Sequence, residues 1–444
     1  MPKLAVISLG CAKNLVDTEI ILAQLVAANW ELTDDFSEAE LILVNTCGFI
    51  ETAKQESINR ILEMAEYKEP QNGVCQKLVV AGCLVQRYAQ ELATELTEVD
   101  YWIGLGEIGQ ITEIINYEAR VGQAALASTP FLNEVGLPRL QVTLPHVAYV
   151  KIAEGCSHRC AYCAIPLIKG EYRSRSLESI LTETATLVAA GVKEINLIAQ
   201  DLTLYGHDLR PKQNLNQLIT GILTEAQPAW LRLLYLYPSG VNLELLEQIA
   251  TESRICKYLD LPIQHLNQRL LKLMNRLDPP ELILEQLALI RRTVPEIVLR
   301  STMIVGFPSE TEAEFEELLQ FVKTAPFEHL GVFEYSREED TPAFAYQSQI
   351  NSEIKAERRQ RLMLVQQKNS AVFLSSFLGK EISVLVDRSL PAGKAIGRTA
   401  WLAPESDGVV CLENYHGKAG EFVTVRVTGN DSYNLQAEMI DLEK

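Results

Sequence analysis

What most limits the folds open to this chain is a rhythm: short apolar runs of strand length alternate with helix-patterned stretches through most of its 444 residues. In the N-terminal part the runs 4–7, 41–44 and 78–81 are separated by helical stretches such as 18–28 and 51–66. Parallel strands need a crossover between them, so this alternation predicts βαβ units and a doubly wound parallel sheet over 1–118. The segment 119–145 carries Pro130, Pro138 and Pro145 with little periodicity and reads as a linker. Alternation then resumes with candidate strands at 148–153, 194–199, 231–236, 257–261, 299–305 and 330–335. Six βα units over 146–373 predict a partial (β/α)6 barrel, closed off by a charged helix near 352–373. Beyond residue 374 the texture changes to five short strands with Gly-rich turns, at 382–386, 396–401, 409–412, 422–427 and 435–440. That pattern predicts a small β-barrel over 374–444, of a kind that binds a partner rather than performs catalysis.

The chain shows no basic stretch followed by a long apolar core and no apolar run long enough to span a bilayer, so a cytoplasmic protein with no membrane partner is expected. Nine cysteines then need a reason. In a reducing compartment, clustered cysteines bind metal or do chemistry more often than they form disulfides. The net charge of −18 gives no support to a nucleic-acid partner and is compatible with a basic protein.

The strongest local signal is Glu154-Gly155-Cys156-Ser157-His158-Arg159-Cys160-Ala161-Tyr162-Cys163. Three thiolates spaced C-x3-C-x2-C can hold three irons of a cubane, leaving the fourth iron open to a small molecule. Zinc would want a fourth ligand at finger-like spacing, and His158 sits too close to serve. The motif follows a candidate strand and precedes Pro166, on the carboxyl edge where barrels carry their active sites. A second trio emerges from fold reasoning. Cys11, Cys47 and Cys83 each follow an apolar run and stand beside a glycine, so a parallel sheet would gather them at its carboxyl edge. The alternative is three buried cysteines acting as small hydrophobes. Tyr162, Gln200, Asp201, Gln264 and Arg300 are candidates for a polar pocket facing the first trio. The string Gly104-Leu105-Gly106-Glu107-Ile108-Gly109 reads as a turn and helix start rather than a dinucleotide site. Cys75, Cys256 and Cys411 read as packing or surface residues, and Glu310–Glu317 as a solvated helix face.

These residues resemble a known family. Cys156, Cys160 and Cys163, with Tyr162 before the last, are similar to the radical S-adenosylmethionine signature. Together with the N-terminal trio and a TRAM-like terminal barrel they resemble the methylthiotransferases over essentially the whole chain. The strings 8–17, 154–160 and 260–265 resemble the branch that methylthiolates an aspartate of small-subunit ribosomal protein S twelve. Ser157, Ser309 and Leu402 depart from common family residues, and none removes a candidate ligand. The resemblance implies two 4Fe-4S clusters, S-adenosyl-L-methionine, an electron donor and the ribosomal protein as partners, with tRNA disfavoured. It leaves two other readings open: a tRNA-adenosine methylthiotransferase with the same chemistry, and an electron-transfer iron–sulfur protein. Against the latter, electron carriers normally ligate each cluster with four cysteines.

Overall fold

The computed structural model describes the chain except for residues 117–121, 123, 128, 135, 325–326 and 441–444. The expected junction at 118–119 and the last four residues of the expected terminal barrel lie outside the described residues.

The first sheet is parallel throughout. Its strands are β1 (Lys3–Ser8), β2 (Glu31–Leu32), β3 (Leu41–Thr46), β4 (Lys77–Gly82), β5 (Tyr101–Ile103) and β6 (Ala124–Ala125). They lie in the order β2-β1-β3-β4-β5-β6. β3 is buried along its whole length, which is why it reads as an unbroken apolar run rather than an alternating one. The chain order reverses between β1 and β3, and Ser8 pairs beside Asn45 while Thr46 pairs beside Gly82, so these strands end nearly level. Ligands of doubly wound sheets bind at such a reversal, outside the carboxyl ends.

The linker reading needs a correction. Apart from β6, the described residues of this segment hold no helix or strand, yet they are tied down on both sides. Leu140 N–H donates to Glu19 O at 2.9 Å, Arg139 pairs with both Glu19 and Glu183, and Ser176 N–H donates to the Glu134 carboxylate at 2.9 Å.

The second sheet is also parallel and has six strands: β7 (Val147–Lys151), β10 (Glu194–Ile198), β11 (Trp230–Leu233), β12 (Ile255–Asp260), β13 (Val298–Val305) and β14 (His329–Glu334). Their order is β14-β13-β12-β11-β10-β7. No pairing joins β14 to β7 among the described residues, so the barrel stays open, as expected. A two-stranded ribbon, β8 (Ala153–Glu154) with β9 (Arg173–Ser174), brackets the cysteine loop. The long helix Ser352–Ser375 packs along β14 and leads to a closed barrel of β15 (Glu381–Leu390), β16 (Lys394–Arg398), β17 (Val410–Glu413), β18 (Phe422–Asn430) and β19 (Leu435–Met439). β16 stops at Arg398, short of the expected 401, because the chain beyond it turns away to dock on the second sheet. Arg398 pairs with Glu194 at 2.7 Å and with Asp387 at 2.7 Å, and Arg232 donates to Ala400 O at 2.7 Å.

The acidic run is not uniformly solvated. Glu310 is buried, accepts from the Gly306 and Phe307 N–H groups and meets Arg358 at 3.3 Å, while Glu314 pairs with Arg269 at 2.6 Å. Of the glutamates in the run, Glu312, Glu316 and Glu317 face water. Gly104–Gly109 follows β5 and leads into the 3-10 turn Ile108–Gln110, in line with a turn reading. Cys75 and Cys256 are buried and Cys411 is exposed. Among the described residues no helix is long and apolar enough to cross a membrane.

Candidate active site

The loop trio is fixed by its backbone. Cys156 N–H donates to Gly170 O at 3.0 Å, Cys163 N–H to Cys160 O at 3.1 Å, and Ala161 N–H to Met274 O at 2.8 Å. Gly155 sits at φ +82°, where a Cβ would come within 2.6 Å of the Glu171 carbonyl carbon, so only glycine fits there. Burial pushes the Cys156 thiol up to about 11 and raises Cys163 further, and the neighbouring Cys160 charge adds to both. Cations offset this. The Arg276 guanidinium acts on all three cysteines, stacks over the Tyr237 ring at 4.3 Å and donates to Pro262 O at 2.6 Å. His158 lies against the other part of the shell, stacked on Tyr237 at 4.1 Å and bonded to Asp201 at 2.6 Å.

The N-terminal trio is assembled from three strand ends. Cys11 stands at the N-cap position of the helix Ala12–Ala27 and Cys83 opens the helix Cys83–Glu95, positions where helix N-termini favour a thiolate. Cys47 is steadied by Ser57, whose hydroxyl accepts from its N–H at 3.1 Å. Gly10 is pressed against Cys47, since a Cβ there would lie 3.1 Å from its Sγ. Gly82 holds φ +104°, and a Cβ would meet Thr46 O at 2.6 Å. Burial pushes Cys83 up to about 12 and raises Cys47. At Cys11 the upward effect of burial is outweighed by the Lys13 and Lys169 ammonium groups and by backbone N–H donors, so its thiol is pulled down.

Between the trios runs a buried ionic network drawn from both domains, with Asp17 on the helix Ala12–Ala27, Lys151 on β7, Glu154 on β8 and Lys169 on the helix Ile165–Lys169. Lys151 bonds Asp17 at 2.5 Å and Glu154 at 2.6 Å, Lys169 meets Glu154 at 3.0 Å, and Gln200 donates to Glu154 at 3.1 Å. None of the four charged residues is more than 2% exposed. Lys13 reaches across from the first domain to Ala199 O at 3.2 Å and the Tyr235 ring at 3.6 Å.

The sequence candidates fare differently. Tyr162 lies beside Cys160 and Arg276. Asp201 spends one oxygen on His158 and the other on capping Thr203 at 2.8 Å, and Gln200 belongs to the ionic network. Gln264 bridges to β13 through its backbone, donating to Thr302 O at 2.8 Å. Arg300 is not brought to the cysteine loop: its partners are Asp260 at 3.4 Å and Asp407 of the terminal barrel at 3.5 Å. There it lines a cavity of about 360 Å³ with His329, Asp407 and Tyr433. Sequence reasoning missed Lys151, Lys169, Arg276 and Tyr237. A lysine inside the apolar strand β7 was the available signal, because lysine is almost never fully buried without a partner.

The donor sets suit iron–sulfur clusters. Among the described residues no three His, Cys, Asp or Glu side chains gather as a single-ion site requires. A cubane places its three thiolates on three different irons and does not need them to meet at one point.

Comparison with known proteins agrees. Family models match at 3–104 (uncharacterized protein family UPF0004), 150–322 (Radical SAM superfamily) and 378–440 (TRAM domain). A ribosomal protein uS12 methylthiotransferase RimO of Geobacter sulfurreducens is 45% identical over 442 residues, covering 99% of this chain and 98% of the relative. The chain belongs to the RimO family. A RimO of Clostridioides difficile is 43% identical, covering 99% of both chains. Among solved structures, the radical S-adenosylmethionine methyltransferase TsrM of Kitasatospora setae shares the fold at a TM-score of 0.56 and 17% identity, covering 77% of this chain and 74% of that one. RimO-family membership makes this chain a radical S-adenosylmethionine methylthiotransferase.

Proposed function

We propose that this chain methylthiolates the β-carbon of an aspartate in ribosomal protein uS12. In this reading Cys156, Cys160 and Cys163 hold one 4Fe-4S cluster and Cys11, Cys47 and Cys83 hold a second. When bound, the clusters and S-adenosylmethionine supply a methyl group, a sulfur and the one-electron cleavage that lets hydrogen leave an unactivated carbon, chemistry beyond amino-acid side chains alone. The chain's residues position and insulate. Arg276 balances the negative loop, His158 and Asp201 lock its orientation, and the Asp17–Lys151–Glu154–Lys169 network fixes one trio relative to the other. Tyr162, Gln200, Asp201 and Gln264 are the candidates for the S-adenosylmethionine pocket, and Arg300 is not among them.

The observation that carries the reading is the meeting of two cysteine trios across one ionic network contributed by both domains. The choice of a protein substrate over tRNA draws support from charge. Residues 374–444 hold seven basic and ten acidic side chains, and 1–118 hold seven and nineteen. Phosphate binding wants the opposite balance, whereas an acidic surface complements a basic ribosomal protein. The electron donor is an external one-electron reductant. The test is anaerobic reconstitution, reaction with uS12 or with tRNA under one set of reducing conditions, and mass spectrometry of both. One methylthio group on an aspartate of uS12 is expected. Product on tRNA with uS12 unmodified would move the chain to the sister activity.

A further inference from the structure

Four lysines are buried among the described residues, Lys13, Lys54, Lys151 and Lys169, and three of them face carboxylates. Lys54 meets Glu51 at 2.8 Å and Glu338 at 3.2 Å, Lys151 meets Asp17 at 2.5 Å and Glu154 at 2.6 Å, and Lys169 meets Glu154 at 3.0 Å. Lys13 is the exception. It is 7% exposed, and no carboxylate among the described residues pairs with it. Asp17, one turn along the same helix, is held by Lys151 instead, and Asp201, two residues past Ala199, is spent on His158 and Thr203. Lys13 donates to Ala199 O at 3.2 Å and lies 3.6 Å above the centre of the Tyr235 ring. A carbonyl and a ring face offset only part of the cost of burying an ammonium. Its position adds to that cost, because Lys13 lies in the first turn of the helix Ala12–Ala27, where the macrodipole favours anions. The site lacks an anion.

The place of Lys13 in the fold says which anion would serve. Lys13 follows Cys11 by two residues at the carboxyl edge of the first sheet, while Ala199 and Tyr235 follow β10 and β11 at the carboxyl edge of the second. The ammonium therefore stands where the two edges meet. Tyr235 holds φ +65°, a strained conformation for a tyrosine, with its O accepting from the Leu202 N–H at 3.0 Å. That backbone sets the ring beneath Lys13. Tyr235 is half-buried and Cys11 is exposed, so the neighbourhood is not sealed from solvent. We propose that Lys13 binds the side-chain carboxylate of the aspartate to be modified. The inference rests on the methylthiolation of a uS12 aspartate put forward above. The reacting β-carbon is bonded to that carboxyl carbon, so an ion pair with Lys13 fixes the carbon between the two trios. It also selects, because asparagine cannot match the charge-assisted bond that aspartate makes.

The test crosses two enzymes with two substrates. The full chain, reconstituted anaerobically and saturated with S-adenosylmethionine but without reductant, is titrated by calorimetry with uS12 and with uS12 whose modified aspartate is replaced by asparagine. The unaltered chain should bind the aspartate form about tenfold or more tightly. Lys13→Met should bind both forms alike at full iron content, and Lys13→Arg should restore part of the preference by keeping the charge. Because no carboxylate pairs with Lys13, its removal strands no buried charge and the variant should fold. Tyr235→Leu takes away the ring beneath the ammonium and should weaken the preference a few-fold with Lys13 in place, whereas Tyr235→Phe should keep it. An undiminished preference in the folded Lys13→Met chain overturns the proposal. So does a loss of iron or of S-adenosylmethionine affinity with the preference intact, which would make Lys13 a partner of the trio or of the cofactor. Failure of the unaltered chain to modify uS12 at all would sink the underlying reading, and the proposal with it.

Discussion

On the proposed reading, the two cysteine trios do one kind of job by two kinds of construction. The loop trio spans eight residues, Cys156 to Cys163, and is shaped by one turn of chain between β8 and β9. The N-terminal trio spans 73 residues and exists only where three parallel strands end together. A site built by one loop depends on local backbone conformation. A site built by a sheet depends on strand register and on what docks against the edge. That contrast predicts different modes of failure.

The largest effect is expected from removing either proposed set of cluster ligands. Cys156/Cys160/Cys163→Ala should keep about half the iron and abolish both S-adenosylmethionine cleavage and product. Cys11/Cys47/Cys83→Ala should also keep about half the iron and form no product, yet still cleave S-adenosylmethionine reductively. Loss of all iron from either folded variant would show that the sites are not separable.

Backbone comes next. Gly82→Ala forces a Cβ against Thr46 O inside a buried sheet edge and should cost about 4 kcal/mol in chemical denaturation, with loss of the N-terminal iron. Gly155→Ala crowds the backbone of exposed Glu171 rather than a buried strand end, so roughly half that cost is expected, with iron lost from the loop alone. Equal costs would erase the distinction between sheet-built and loop-built sites.

Acid should loosen the loop side by a route the other trio lacks. His265 is fully buried, and its Nδ1 accepts from the Asn267 N–H at 2.9 Å, at the start of the helix whose end meets Ala161. Burial, helped by Arg358 and Arg269 against Glu314, lowers its pKa from 6.5 to about 4. Between those values the unfolded chain takes up a proton that the folded chain refuses. The stabilisation is thus complete above pH 6.5 and lost as pH falls through about 4, a change of about 3 kcal/mol. His265→Gln should flatten that part of the stability profile; an unchanged slope would mean His265 is not the titrating group.

The smallest effect probes docking. Arg87 pairs with Glu338 at 2.7 Å, joining the first domain to the loop after β14. Arg87→Ala should leave both iron sites filled and S-adenosylmethionine cleavage intact while lowering product formation about tenfold, some 1.4 kcal/mol. An equal fall in cleavage would place the damage in the loop site instead.

Legibility in the sequence followed the same contrast. The grouping of Cys156, Cys160 and Cys163 could be read from spacing, and that of Cys11, Cys47 and Cys83 from the habit of parallel strands to end on one edge; their role as cluster ligands stays a proposal. The strand runs were readable because β3 and β4 are buried on both faces and are largely apolar. Lys169, Arg276 and Tyr237 were not, because nothing near them in sequence says which element they will face. Arg300 misled for the same reason: a polar residue in a barrel strand can serve the site or the neighbour that plugs the barrel, and here Asp407 claims it. Glu310 looked like part of a wet helix face because its partner, Arg358, lies 48 residues away.

The proline-bearing connection between the first two domains has a wider consequence. An open parallel sheet ends in raw edges, rows of carbonyl and N–H groups able to recruit a foreign strand. β7 is one such edge, and the connection dresses it with side chains: Arg139 bonds Tyr149 O at 2.7 Å, while Gln141 and Thr143 both bond Val147 O at 2.8 Å. The segment therefore shields an unfinished barrel from self-association, so a shortened or glycine-substituted connection would tend to aggregate before it lost any chemistry.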